Sequence, residues 1–173
     1  MFKNIVCPLD GSDHADKALG LAIDLAKKYD ARLLLVHVLL RGVETAALKR
    51  FAEIEGLTRS AAAEINHAMG VDSRAEIAHL RERQSISSAV LVDIAEHIVG
   101  AAKLEAENKG VRKVSVKVLD GDAAKRILDY AEQEGADCIV MGSRGLGDIK
   151  ALLLGSVSQK VTNLAPCTCI AVK

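Results

Sequence analysis

Aromatic side chains are nearly missing from this chain: two Phe, two Tyr and no Trp in 173 residues, 2% of the total. Rings that stack on bases or sugars are therefore scarce, so a bound nucleotide would have to be held by backbone and aliphatic groups. Net charge is missing too, since 23 Lys and Arg stand against 23 Asp and Glu. Such a balance offers no overall field to a polyanion, and with no local basic patch to replace it no nucleic-acid partner is expected. The longest apolar run, residues 33–40, is interrupted by His37 and falls far short of the roughly 20 residues that cross a bilayer, so no membrane span is expected. The first residues lead straight into strand-like sequence without the layout of a signal peptide, which makes the cytoplasm the expected location. Cys7, Cys138, Cys167 and Cys169 all lie in strand-like apolar stretches. With no Cys-x-x-Cys and no clustered His, they read as reduced structural thiols rather than as a metal or redox pair.

What is present is a core. Half of the residues are apolar and 27% charged, too apolar for disorder, and 18.4 kDa suits one domain able to bury its own interior. Residues 5–9 read as a short strand, followed by the turn Asp10-Gly11-Ser12. Over 13–29, Ala15, Leu19, Ala22, Ile23 and Ala26 recur at helical spacing, with Ser12 or Asp13 placed to cap the first turn. The run 32–40 suits a strand covered on both faces. Further on, 85–108 reads as a helix with Val90, Ile94, Ile98 and Ala101 on one stripe, 111–119 as an alternating strand, and 122–134 as a helix stopped by Gly135. The segment 137–141 is again strand-like, 156–164 helical, and 168–172 a last strand after Pro166. Strands alternating with helices imply an α/β fold, a doubly wound, mainly parallel, Rossmann-like sheet of five strands. A helical insertion at about 41–84 follows the second strand, with an additional helix expected over 44–69.

In an open parallel sheet, ligands bind beyond the carboxyl ends of the strands. Two loops fall there. One is Pro8-Leu9-Asp10-Gly11-Ser12, and the other runs from Met141-Gly142-Ser143-Arg144-Gly145-Leu146-Gly147 to Gly155-Ser156-Val157-Ser158 at a helix start. Glycines allow close backbone approach, and the free amides of a helix start attract phosphate oxygens. Two common nucleotide motifs do not fit. Leu154 precedes Gly155-Ser156 with no P-loop lysine, which speaks against an ordinary P-loop ATPase. Gly142, Gly145 and Gly147 stand in the wrong order for Gly-x-Gly-x-x-Gly, and that fingerprint belongs after the first strand, so a dehydrogenase is not expected.

The spacing Gly142-x2-Gly145-x9-Gly155-Ser156 resembles the nucleotide-binding signature of the universal stress protein family, ATP-binding branch. Further matches are Ile5 to Ser12, Leu35-Val36-His37-Val38, Gly121-Asp122 and Asp137 to Gly142. The resemblance implies a five-stranded sheet of order 3-2-1-4-5 that dimerises through its last strand and binds ATP, with Mg2+ or Mn2+. It places Asp10 at the ribose or the phosphate and metal region, and the Val38 backbone at adenine. Pro8, Leu9 and Met141 would line the base pocket. Gly142, Arg144 and Gly145 would follow the ribose and phosphates, with Gly155, Ser156, Val157 and Ser158 cradling the phosphate tail. A regulatory, nucleotide-dependent switch in the stress response is the function implied, with slow hydrolysis at most. No catalytic set is assigned, although Asp10, Asp122, Asp148, Arg144 and Lys150 lie near the loops. Two other readings stay open: an enzyme that cleaves or transfers phosphate from ATP, and a nucleotide-independent, chaperone-like module that takes a protein partner on the inserted helices.

Overall fold

The computed structural model describes residues 1–39, 88–146 and 154–173. The expected helix over 44–69 and most of the insertion at 41–84 lie outside the described residues, as do Gly147, Asp148 and Lys150. Nine elements alternate along the described chain: β1 (Asn4–Pro8), α1 (Asp13–Tyr29), β2 (Arg32–Val38), α2 (Ser88–Asn108), β3 (Val114–Leu119), α3 (Ala123–Gln133), β4 (Cys138–Gly142), α4 (Ser156–Leu164) and β5 (Thr168–Val172). The strands form one parallel sheet of order β3-β2-β1-β4-β5, the order the family resemblance implies.

Strand periodicity splits the interior into two cores. Ile5 pairs with Leu33 and Cys138, and Leu33 with Val114, so these residues form a row across one face. Against that face pack Ala15, Ala18, Leu19, Ala22, Ile23 and Ala26 of α1 and Ile94, Ile98, Ala102 and Ala106 of α2. Alanines on the α1 stripe let its backbone come close to the sheet. On the other face Val6, Leu34, Val36 and Ile139 meet Ala124, Ile127, Tyr130 and Ala131 of α3 and Val161 of α4. The buried stripe of α2 continues through Ala102, whereas Ala101 is exposed, a shift of one residue from the expected stripe, since the i, i+4 row Ile94, Ile98, Ala102 and Ala106 is the one that packs on the sheet.

Helix ends follow local chemistry. Ser12 caps α1, its hydroxyl accepting from the Ala15 amide at 3.3 Å, and Asp122 caps α3 by accepting from Lys125 N at 2.9 Å. Gly11 supplies the left-handed backbone of the turn before α1, with φ 79°. β3 starts at Val114 rather than at residue 111, since the Val111 amide is spent on Ala106 O at 3.0 Å as α2 ends.

The packing fixes where a ligand can sit. α1 and α2 cover one face and α3 and α4 the other, so the chain leaves β1 and β4, which are neighbours, toward opposite faces. The carboxyl ends of β1 and β4 are therefore the topological switch point of this sheet.

Candidate functional site

Two loops meet at the switch point. The Asp10 carboxylate is fixed from its own turn: Oδ1 accepts from the Ser12 hydroxyl at 2.6 Å and from the Ser12 amide at 3.1 Å. Its other oxygen lies against Gly145, so closely that a side-chain carbon there would collide with it. The Ser12 hydroxyl also lies 3.5 Å from the Arg144 carbonyl. Ser12 thus ties the end of β1, the start of α1 and the glycine loop together.

Gly142 has a different task. A Cβ on it would come within 2.8 to 2.9 Å of the backbone and Cβ of His14 and the amide of Ala15. Its bareness lets the first turn of α1 rest on the end of β4, which is a packing role. Gly155 is unlike both. With φ −69° and ψ 159° any residue fits its backbone, and an added Cβ would meet nothing closer than Arg144 Cα at 3.4 Å, an ordinary contact. Neither strain nor crowding within the described residues calls for glycine at that position.

Gly155 is the N-cap of α4 and offers no side-chain cap. Its own amide donates to Ser143 O at 2.8 Å, while the amides of Ser156, Val157 and Ser158 open the first turn, where a helix has no internal acceptor. These amides, with the positive end of the helix dipole, make a site for anionic oxygens. The Ser158 hydroxyl is turned inward, donating to Gly142 O at 2.8 Å; Ser156 is exposed, and Val157 packs on the α3 and α4 core. Beside them, Ser143 Oγ and Arg144 Nε are buried with no hydrogen-bond partner among the described residues.

Apolar positions divide by face. Val38 and Met141 belong to the core under α3 and α4, and Pro8, one residue after Cys7, turns the same way by strand alternation. Leu9 points to the opposite face. There it lines a cleft of about 220 Å³ between Gly11 and Asp16 on one side and Ile98, Ala102 and Glu105 on the other. Two carboxylates in that cleft disfavour phosphate, which leaves the α4 side of the switch point as the anion-binding side. The structure therefore brings Asp10, Arg144, Gly145, Gly155 and the α4 amides together, sets Pro8, Val38 and Met141 on the same side of the sheet, and sends Leu9 away from them.

Asp122 is spent on its cap and stands 3.6 Å from Lys160, and the Lys125 amide holds its carboxyl below the usual range. The four cysteines are free thiols. Burial pushes the Cys7 thiol far up and those of Cys138 and Cys169 to about 12 and about 11. Among the described residues no three His, Cys, Asp or Glu side chains come together as a metal set, and no helix is long and apolar enough to cross a membrane. His37 is fully buried, its Nδ1 2.8 Å from Leu9 O. Sequence reasoning placed Ser12 as a candidate cap of α1 but missed its hold on Asp10 and its approach to the glycine loop, and it gave no role to Ser143 or His37, which have no local signature.

A model of the universal stress protein family matches residues 1–173. The chain is 31% identical over 173 residues to the universal stress protein YxiE of Bacillus subtilis, with 100% of both chains covered. Among solved structures, the universal stress protein from Archaeoglobus fulgidus in complex with dAMP is similar with a TM-score of 0.61 at 18% identity, over 100% of this chain and 98% of that one. A universal stress protein in complex with cAMP gives 0.59 at 18% identity, over 99% and 97%. At such identities the likeness to the two structures is one of fold.

Proposed function

Since the chain belongs to the universal stress protein family, we propose that it is a dimeric regulatory protein of the stress response, switched by a bound adenine nucleotide, ATP foremost, and slow at most in hydrolysing it. The observation that carries this reading is the uncapped start of α4 at the switch point, facing the glycine loop beside Asp10. The phosphate tail would lie on the amides of Ser156, Val157 and Ser158 and run past Gly155 and Arg144. The ribose would lie near Asp10 and Gly145, and the base among Pro8, Val38 and Met141. That two proteins of the same fold are complexes with dAMP and cAMP supports an adenine ligand.

Magnesium or manganese would arrive on the phosphates, with Asp10 as the carboxylate of the β1 loop; no set of three His, Cys, Asp or Glu side chains able to hold a metal gathers among the described residues. A fast phosphoryl transfer needs metal clamps and an aligned nucleophile; Asp122, occupied at its cap, supplies neither. Among the described residues β5 pairs with β4 alone and so forms a sheet edge, which supports pairing with a second copy. Light scattering should report twice 18.4 kDa.

The test is to purify the protein without added nucleotide, denature it, and identify what is released by chromatography and mass spectrometry, with calorimetry of ATP plus magnesium alongside. Near-stoichiometric adenine nucleotide, or micromolar binding by the empty protein, supports the reading. A protein that neither retains nor binds any adenine nucleotide sinks it.

A further inference from the structure

Parallel strands exchange hydrogen bonds in a fixed alternation. At the carboxyl end of β1 the Leu9 amide donates to Val36 O at 2.8 Å, and the next rung would be the Val38 amide on Leu9 O. That rung is replaced. Leu9 O lies 2.8 Å from His37 Nδ1 instead, and among the described residues no backbone bond joins Val38 to Leu9. A carbonyl only accepts, so Nδ1 carries the imidazole proton and Nε2 the lone pair, which has no partner among the described residues. Leu39, the following residue, gives its amide to Leu119 on β3. By alternation the Val38 amide and carbonyl face the other way, toward the open end of the β1 and β2 ladder.

We propose that His37 is a positioning residue for base recognition: by occupying the Leu9 carbonyl it keeps the Val38 backbone out of the ladder and free to read the edge of an adenine ring. The Val38 N–H then donates to adenine N1, and the Val38 carbonyl accepts from the 6-amino group. Hypoxanthine and guanine carry N1–H and O6, the reverse pattern, and meet donor with donor and acceptor with acceptor. With two Phe, two Tyr and no Trp in the chain, backbone pairing is the means of base selection left to it. His37 touches no ligand itself. This inference rests on the nucleotide reading above and deepens it.

Two measurements test it. AMP and IMP are titrated by calorimetry into the wild-type protein, H37L and H37N. Leucine is apolar and fills the buried position without an unpaired nitrogen, while asparagine places Nδ2 where the imidazole Nδ1 lies. In H37L the Val38 amide closes onto Leu9 O. AMP binding should weaken about tenfold, the worth of a lost polar contact, the preference for AMP over IMP should collapse, and H37N should restore both. An H37L protein with wild-type affinity and preference overturns the role of His37 while leaving nucleotide binding intact; a wild-type protein that binds neither AMP nor ATP overturns the nucleotide reading as well. Amide hydrogen exchange in the wild-type protein needs no variant. Val38 should exchange rapidly without ligand and slow at least tenfold on saturation with AMP, while Leu39 is protected throughout; a Val38 amide as protected as Leu39 in the free protein overturns the inference.

Discussion

Asp10 and Gly145 are locked face to face across the switch point, one carboxylate oxygen held by Ser12 and the other seated where a Gly145 side chain would be. The carboxylate of one loop thus sets the shape of the next. In Gly145→Ala the collision turns Asp10 away from Ser12 or pushes the glycine loop outward, because the backbone of Gly145 itself is not left-handed and would accept alanine. Adenine nucleotide affinity should fall about tenfold while the fold persists. Calorimetry with AMP and ATP, together with a thermal melt, checks both halves.

Gly142 and Gly155 should respond in opposite senses. Alanine at Gly142 drives a methyl into the first turn of α1, 2.8 to 2.9 Å from His14 and Ala15, an overpacking that costs about 1–3 kcal/mol. Alanine at Gly155 meets only ordinary contacts and keeps stability within about 0.5 kcal/mol, yet Gly155→Arg, whose side chain would fill the space over the α4 amides, should abolish nucleotide binding. Urea unfolding and calorimetry on the three variants separate packing from binding.

His37 should leave a pH signature on stability. Burial holds its imidazole below the ordinary value of 6.5, partly offset by the Leu9 carbonyl and the Asp10 charge. Between the folded and unfolded values the unfolded chain binds more protons, so this contribution is complete above about pH 6.5 and is lost as pH falls toward the folded value. From pH 7.5 to 5.0 the wild-type protein should lose more unfolding free energy than H37L, which has no imidazole at this position. Parallel slopes for the two proteins would contradict the assignment.

The thiols should be slow to react. With Cys138 at about 12 and Cys169 at about 11, and with Cys7 and Cys167 also raised by burial, little thiolate exists at pH 8. Ellman's reagent should label the native protein slowly and all four cysteines promptly in urea. Rapid labelling of a native thiol would point to an opening of β5, whose Cys169 packs against the α3 and α4 core.

Much of the fold was legible because it is written in local terms. The α1 stripe, its Ser12 cap and its end at Tyr29 lie within one stretch of chain, as do the bounds of α4 and β5, and all three came out as expected. The errors fell at strand starts, where hydrogen bonds outside the ladder intervened. β4 begins at Cys138 because the Asp137 carboxylate is engaged by the amides of Lys3 and Asn4, at 2.7 and 2.9 Å, and β3 begins late because α2 closes onto Val111. At the site, the loop motifs named the region while leaving open the task of each glycine, since Gly142 answers to His14 and Gly145 to Asp10, more than a hundred residues away in sequence.

Apolar periodicity, turn residues and the even charge balance determined by themselves an alternating α/β chain with two polar loops at strand ends, because each of these acts over a few neighbouring residues. Only the tertiary structure decided how the neighbours β1 and β4 pack with their connections leaving toward opposite faces, that Leu9 turns away from Pro8, Val38 and Met141, and that an imidazole takes the place of a backbone rung. Those relationships depend on which strands become neighbours and in what register, which is settled by the burial of whole faces against one another rather than by any single stretch of sequence.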